Sequence, residues 1–492
     1  MIMQKFIQSL HSVLLFSMLL IPTVALTHKD GSHSVKKNNI EQTCSCDFCD
    51  EIRATSLIET IKRTKKSGRN SKKKKSSNKR VFIVFMAADN DLRAFAARNI
   101  QQMSNVGSND NITIVVHLDI RISGNKKITR RYLIEKDRVV HIDPNDPNTQ
   151  QMDSGNPATL ISCCEWAIKN YPADVYDLIL WNHGTGILEP PHGKIINPTD
   201  LFTFNPITHR LELDRSIGFM DAFNLIGKNQ RGVCWDDTTG NYLSNKKLDF
   251  ALQTICQNCL NGKKFGIIGF DACLMSMVEV TSFIKKYADV MTSSQEVELG
   301  MGWKYDDVLA PFLQRPLDTE TFARHIVNAY ESTYQSITHD YTLSSIDLSS
   351  VKSLEKNIDY VASLLIEGIL SQKPLYIKAI KDSRNKLLCT HFDEPSYIDL
   401  HHFYSNLSTN IRKLNVGTNQ RDQQIQEVLL DRIEEGKGII QYSVLANTTG
   451  RNLKNAQGIS IYFPERNIHS SYQQASFLTS NHWGVFLTHY LF

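Results

Sequence analysis

The sequence predicts an α/β protein: a mainly parallel sheet flanked by helices, followed by a mostly helical α/β subdomain. Short apolar runs at Val81–Met86, Ile112–Leu118, Tyr176–Trp181, Lys264–Phe270 and Asp289–Thr292 have the length and composition of strands buried on both faces. Segments of helical spacing lie between them, and strands alternating with helices build parallel sheets. Beyond about Ser350 helical segments dominate, with strand patterns only at Ile439–Val444 and Gly458–Phe463.

Each element has a local cause. After Val81–Met86, the apolar residues Leu92, Ala96, Ile100 and Met103 share one helix face. Arg130–Leu133 and Val139–Ile142 flank Glu135-Lys136-Asp137 and predict a hairpin. Asn156-Pro157 is a capping residue followed by proline at the first helical position, with the helix ending near Asn170. Ser244 caps a helix to about Cys256, and another helix follows at Met275–Lys286.

The ends read differently from the body. Lys5, the apolar stretch Val13–Ile21 and the small residues Thr23-Val24-Ala25 form a secretory signal, so residues 1–25 predict export to a secreted or periplasmic compartment. Residues 26–80 read as a linker or pro-segment. Residues 61–80 hold 11 Lys or Arg and no acid; the remaining 44 basic residues face 51 acidic ones, leaving −7. The folded body is therefore mildly acidic, which gives no support for specific nucleic-acid binding. No apolar run reaches the roughly 20 residues of a membrane-spanning helix. Hydrophobic residues at 41% and charged residues at 22% exclude wholesale disorder. Cys44, Cys46 and Cys49 cluster in the leading segment without a fourth ligand at zinc-site spacing, so no metal is assigned to them. Cys163 and Cys164 read as core packing, and Cys256 and Cys259 as packing or a local disulfide.

Two strand exits carry the chemistry. Leu178-Ile179-Leu180-Trp181 delivers Asn182-His183-Gly184, and Gly266-Ile267-Ile268-Gly269-Phe270 delivers Asp271-Ala272-Cys273. In open α/β sheets, sites form outside the carboxyl ends of strands. A cysteine nucleophile needs a base or cation nearby to favour the thiolate. A histidine on a neighbouring strand end supplies it and can then protonate a leaving amine. Gly184 allows close backbone approach; its N–H and that of Cys273 form a candidate oxyanion hole.

The "HG" and "DAC" motifs, each after an apolar strand, resemble the signature of the caspase-like clan of cysteine peptidases. The longer context is similar to the clostripain family. The matching stretches are VFIVFMAADNDL at 81–92, YDLILWNHGTG at 176–186, WDDTTGNYLSNKKL at 235–248, FDACLMSMVEV at 270–280, SQEVELGMGWKY at 294–305, YIDL at 397–400 and GISIYFP at 458–464. The resemblance implies a caspase-like fold and a dyad of Cys273 as nucleophile and His183 as base. It implies cleavage of protein or peptide substrates after Arg or Lys. Asp271 then matches the acid at the base of the P1 pocket, where a partly buried carboxylate favours a guanidinium or ammonium. Trp303 and Tyr305 match a loop walling the substrate groove, and Lys304 between them weakens a second acidic contact with P1.

The resemblance further implies a zymogen cut by its own specificity between His183 and Cys273. Residues 189–232 form an activation loop or insertion within a catalytic domain at 81–350; the subdomain occupies 351–492. Lys228 and Arg231 are the favoured processing sites, with Lys194, Arg210 and Arg215 as further basic positions. The basic run would likewise be removed, leaving a start near Val81. No cofactor is required, with calcium left as an option through acids such as Asp236, Asp237, Asp306 and Asp307. The alternative is a catalytically inactive relative that binds peptides or polyanions.

Overall fold

A computed structural model describes residues 78–123, 126–142, 151–189, 201–215 and 232–492. The signal sequence, the three-cysteine cluster, most of the basic run, Lys194, Lys228 and Arg231 lie outside the described residues.

The described chain begins with β1 (Asn78–Ala88), α1 (Arg93–Val106), β2 (Thr113–Ser123), β3 (Lys126–Glu135) and β4 (Arg138–His141). Then come α2 (Pro157–Asn170), β5 (Ala173–Trp181) and two short hairpins, β6 (Phe202–Asn205) with β7 (Arg210–Leu213) and β8 (Val233–Asp236) with β9 (Asn241–Leu243). After α3 (Asn245–Asn258) follow β10 (Phe265–Asp271), α4 (Val278–Ile284), β11 (Ala288–Ser293), α5 (Tyr305–Leu309), α6 (Thr319–Tyr334) and β12 (Thr342–Asp347). The C-terminal part holds α7 (Val351–Ser383), β13 (Tyr397–Asp399), α8 (Leu400–Arg412), α9 (Gln420–Ser443), β14 (Val444–Thr449), β15 (Ser460–Tyr462) and α10 (Trp483–Leu491).

Nine strands form one sheet in the order β14-β12-β11-β10-β5-β1-β2-β3-β4. The five central strands, β11 to β2 in that order, are parallel; the antiparallel strands lie outside them. The connection from β1 to β2 runs one way along the sheet, and β5 and β10 are added on the other side of β1. The switch point therefore falls between β1 and β5, where such sheets open a crevice at their carboxyl ends.

The caps form as expected: the Asn156 side chain accepts from the Ala158 N–H, and Ser244 accepts from that of Lys247. Cys163, Cys164 and Cys256 are buried, and the seven described cysteines are unbridged thiols.

Several boundaries differ from the sequence expectation. β1 starts at Asn78, inside the basic run. Arg80 is buried and its Nη1 lies 2.6 Å from both carboxylate oxygens of Asp177, which also accepts from the Ile267 N–H. This ion pair ties β1 to β5 and β10, so the folded body begins ahead of Val81. The 189–232 stretch is not structureless throughout, because β6 and β7 pair within it. Residues 439–443 are the last turn of α9 rather than a strand. Their β-branched residues mislead, but Ile425, Leu429, Ile433, Gly436 and Ile440 keep a buried helical stripe, and the strand starts only at Val444. The helix after Cys273 begins at Val278, because Met277 is extended and bridges to Ser460. β12 lacks a sequence signature since its buried Ser344 and Ser345 exchange hydroxyl hydrogen bonds with Ser276 and Thr292. The 351–492 segment extends the sheet through β14 and shares one apolar cluster with the rest.

Candidate catalytic site at the carboxyl ends of the strands

β5 and β10 are direct neighbours, with Ile268 opposite Leu178 and Asp271 opposite Trp181. His183 and Cys273 each stand two residues past that last pair. The Asn182 N–H donates to the Asp271 carbonyl at 3.2 Å, so the two exits run together beyond the strands. A Cβ on Gly184 would come within 2.4 Å of the Cys273 carbonyl oxygen, so this approach requires glycine. Leu274 has φ +63°. A branched residue held in the left-handed region costs about 1–3 kcal/mol and marks a turn fixed by its surroundings.

Cys273 is buried. Its Sγ accepts from the Glu298 N–H at 3.3 Å and contacts the Glu298 carbonyl at 3.8 Å. Burial pushes the thiol well above its ordinary value; the Glu298 N–H works against this, while the charges of Glu298, Asp393 and Glu296 add to it. The sulfur is a thiol until a neighbour takes its proton. His183 is also buried, and its Nε2 lies 2.7 Å from Oδ1 of Asp91, in the loop that follows β1.

Asp271 lies behind the nucleophile. Its carboxylate accepts from the Trp303 N–H at 3.1 and 3.2 Å and from the Tyr305 hydroxyl at 2.7 Å. Gly302 has φ +61°, and a Cβ there would sit 2.6 Å from Asp271 Oδ1. Burial raises the Asp271 carboxyl to about 7, against the lowering effect of Tyr305 and Trp303. Glu298 is equally buried. Neither of its carboxyl oxygens completes a hydrogen bond of good geometry, although the Ala272 amide gives partial relief. Burial, and then the neighbouring Asp271, raise it well above the carboxylate range. Two buried carboxyls thus stand near Cys273, among neutral donors in the described residues. Such a pair cannot hold two charges without a cation.

Trp303 and Tyr305 are buried, and the Trp303 ring packs close against Gly269. They hold Asp271 from behind. Lys304 reaches Asp307 Oδ2 at 2.7 Å, so its ammonium is engaged away from Asp271. Arg215 pairs with Glu296 at 2.8 Å and Asp340 at 3.4 Å, and the Leu274 N–H donates to the Glu296 carbonyl. The described end of the 201–215 segment is therefore anchored beside the nucleophile turn.

Among the described residues, no group of His, Cys, Asp and Glu is arranged to hold a metal ion, and no helix is long and apolar enough to cross a membrane. Asp236 is not a solvated surface acid: it is buried with Asp89 and Asp119 around the Lys127 ammonium. Sequence reading missed Asp91 and Glu298. Applying the strand-exit rule to β1 as well as β5 and β10 would have found Asp91, in Asp89-Asn90-Asp91. Glu298 stands inside a matched stretch, but its burial carried no sequence signal.

The chain matches the model of the Clostripain family over residues 84–195 and 219–489. It is 24% identical over 339 residues to clostripain of Hathewaya histolytica, covering 59% of this chain and 57% of that protein. The chain thus spans a little over half the length of that curated relative. Among solved structures it resembles an inactive zymogen C11 protease from Parabacteroides distasonis, with TM-score 0.53 and 18% identity over 84% of this chain and 99% of the other. It also resembles a secreted C11 cysteine protease from Bacteroides thetaiotaomicron in complex with an irreversible peptide inhibitor, with TM-score 0.52 and 18% identity over 83% and 100% of the two chains. At these identities the structural likenesses establish a shared fold.

Proposed function

Since the chain belongs to the clostripain family, we propose that it is an exported cysteine endopeptidase that cleaves proteins or peptides after Arg or Lys. The observation that supports this reading is the β5–β10 register, in which the strands leading to His183 and Cys273 are direct neighbours. The Cys273 thiol passes its proton to His183, and the thiolate attacks the scissile carbonyl. The Gly184 and Cys273 N–H groups serve the developing oxyanion. The resulting imidazolium protonates the leaving amine, and a thioester acyl-enzyme remains. Water, deprotonated by His183, then releases the acid product and restores the thiol. Burial of Cys273 fits a resting state that becomes reactive once its surroundings are rearranged by processing.

Asp271 and Glu298 give the P1 preference its basis. A guanidinium or ammonium entering beside them would let both carboxyls ionise, gaining charge-assisted contacts that a neutral side chain cannot make. Trp303 and Tyr305 contribute by fixing Asp271. Self-processing at Lys228 or Arg231 belongs to the same specificity. Export follows from the signal at 1–25, and the reading needs no cofactor; a calcium requirement is settled by assay with and without chelator.

The test uses the chain without residues 1–25 beside its Cys273→Ala variant, with fluorogenic peptides ending in Arg, Lys, Asp or Asn. Turnover of Arg and Lys peptides, with self-cutting that disappears in the variant, is the expected result. A wild-type chain that stays inactive after limited trypsin nicking of the 189–232 segment would overturn it in favour of a non-catalytic peptide-binding relative.

A further inference from the structure

Three neighbouring parallel strands end at the same edge of the sheet. β10 delivers Cys273, β5 delivers His183, and β1, on the far side of β5, delivers Asp91. The Asp91 loop is held from several sides. Asn90 is buried; its Nδ2 donates to the Ala87 and Trp235 carbonyls at 2.9 and 3.0 Å, and its Oδ1 accepts from the Leu92 N–H at 3.0 Å. Asn182, the residue before His183, also donates to the Ala87 carbonyl and accepts from the Trp235 N–H. The loops bearing Asp91 and His183 are thereby fastened to the backbone of the same two residues, Ala87 and Trp235. Their 2.7 Å contact follows from this shared anchoring.

We propose that Asp91 is the residue that positions His183 for catalysis, which makes the constellation Cys273–His183–Asp91 rather than a dyad. The inference rests on the cysteine-peptidase reading above. An ionised carboxylate at Nε2 accepts the Nε2–H and so selects the tautomer with its lone pair on Nδ1. Nδ1 is then the atom that takes the Cys273 thiol proton and later gives it to the leaving amine. Throughout the cycle Asp91 keeps its charge and the Nε2–H stays on the ring. The carboxylate also favours the imidazolium formed midway, and with it the thiolate. A base oriented by a third group is the general requirement of such sites.

The test uses the chain without residues 1–25, nicked by limited trypsin in the 189–232 segment, and compares wild type with Asp91→Asn, Asp91→Glu and His183→Ala. Two rates are measured: alkylation of Cys273 by iodoacetamide at pH 7, located by peptide mass, and turnover of an Arg-ended peptide. Asp91→Asn is expected to slow Cys273 alkylation about tenfold and lower kcat about 10–100-fold, with KM within about twofold. Asp91→Glu, with room at the partly exposed Asp91 position, should recover most of both rates, and thermal melting should not change. If Asp91→Asn matches wild type while His183→Ala is slow, the dyad stands and this inference falls. If the Asn and Glu variants lose rate equally and melt earlier, Asp91 is structural and the inference also falls. If wild-type Cys273 reacts no faster than in His183→Ala, both readings fall together. Slow alkylation in Asp91→Asn in a chain that turns over no Arg peptide would support the positioning role and reject only the P1 assignment.

Discussion

Two groups of buried carboxyls lie at the carboxyl ends of the parallel strands, and they differ in one respect. Beside β1 and β2, Asp89, Asp119 and Asp236 surround the Lys127 ammonium, with Nζ 3.7 Å from Asp89 and 3.1 Å from Asp119. Burial pulls that ammonium down, but the surrounding carboxylates more than offset it and hold it raised. Asp236 is held low by Lys127 despite its burial, while burial lifts Asp89 to about 6 and Asp119 to about 7. Ser154 and Thr129 hydroxyls donate to Asp119. This cluster brings its own cation. Beside β10, Asp271 and Glu298 have only neutral donors among the described residues. A group of buried acids with an internal cation is structural. A pair without one has room for a cation from outside, and on the function proposed above a P1 Arg or Lys would supply it.

Removing the internal cation should have the largest effect. Lys127→Met leaves three buried carboxyls facing one another, and stripping one partner from a buried ion pair costs about 3–5 kcal/mol. Denaturant unfolding should show that loss, and a wild-type midpoint would erase the contrast between the clusters. Adding Asp236→Asn to Lys127→Met should recover part of it.

Asp271→Asn should act on function and not on stability. Losing one charge-assisted contact to P1, worth about 1.5–3 kcal/mol, lowers kcat/KM for Arg peptides about 10–100-fold, with a smaller change for neutral P1. Asp271 is raised in the fold, so the folded state binds its proton more tightly than the unfolded chain does. Its contribution to stability is therefore lost as pH rises from the ordinary carboxylate range through about 7. Asp271→Asn should melt no earlier than wild type at pH 8, and a clear drop would mark Asp271 as structural.

A smaller effect appears in the pH dependence of binding. Below about 7 the Asp271 carboxyl carries its proton, so KM for an Arg peptide should fall several-fold between pH 6 and pH 8. Glu298→Gln should leave that midpoint nearly in place, because burial rather than the charge of Glu298 raises Asp271. A flat KM profile in wild type would argue that neither acid meets the substrate.

The smallest effect concerns calcium. Lys127 already fills the acidic centre beside β1, so a chelator should shift the melting temperature by less than about 1 °C, which is about 1 kcal/mol for a chain of this size. A larger shift would mean that the acids near Asp236 and Asp237 bind an ion after all.

Reading along the chain succeeded where the cause is local. The central strands are unbroken apolar runs, the helix starts carry Asn156 and Ser244, and His183 and Cys273 follow their strands within two residues. Reading failed where partners are distant. Asp89, Asp119, Lys127 and Asp236 meet from four separate segments, and nothing near Lys127 in the sequence marks it as buried. Asp91 looked like one of several acids after β1 until the β1–β5 pairing set it against His183. β12 buries serines whose hydroxyls find partners in the fold, so its pattern reads as polar.

The sequence by itself determined the alternation of strands and helices, the apolar strands that lead to His183 and Cys273, and Gly184, since a strand's composition and its exit residues are adjacent in the chain. Only the tertiary structure decided that Asp91 meets His183, that Asp271 and Glu298 share a space without a cation, and that Arg80 belongs inside the fold with Asp177. These depend on strand order and on burial. The sheet brings residues about 90 to 100 positions apart within hydrogen-bonding distance, and the loss of water there makes a carboxyl's neighbours decide its charge.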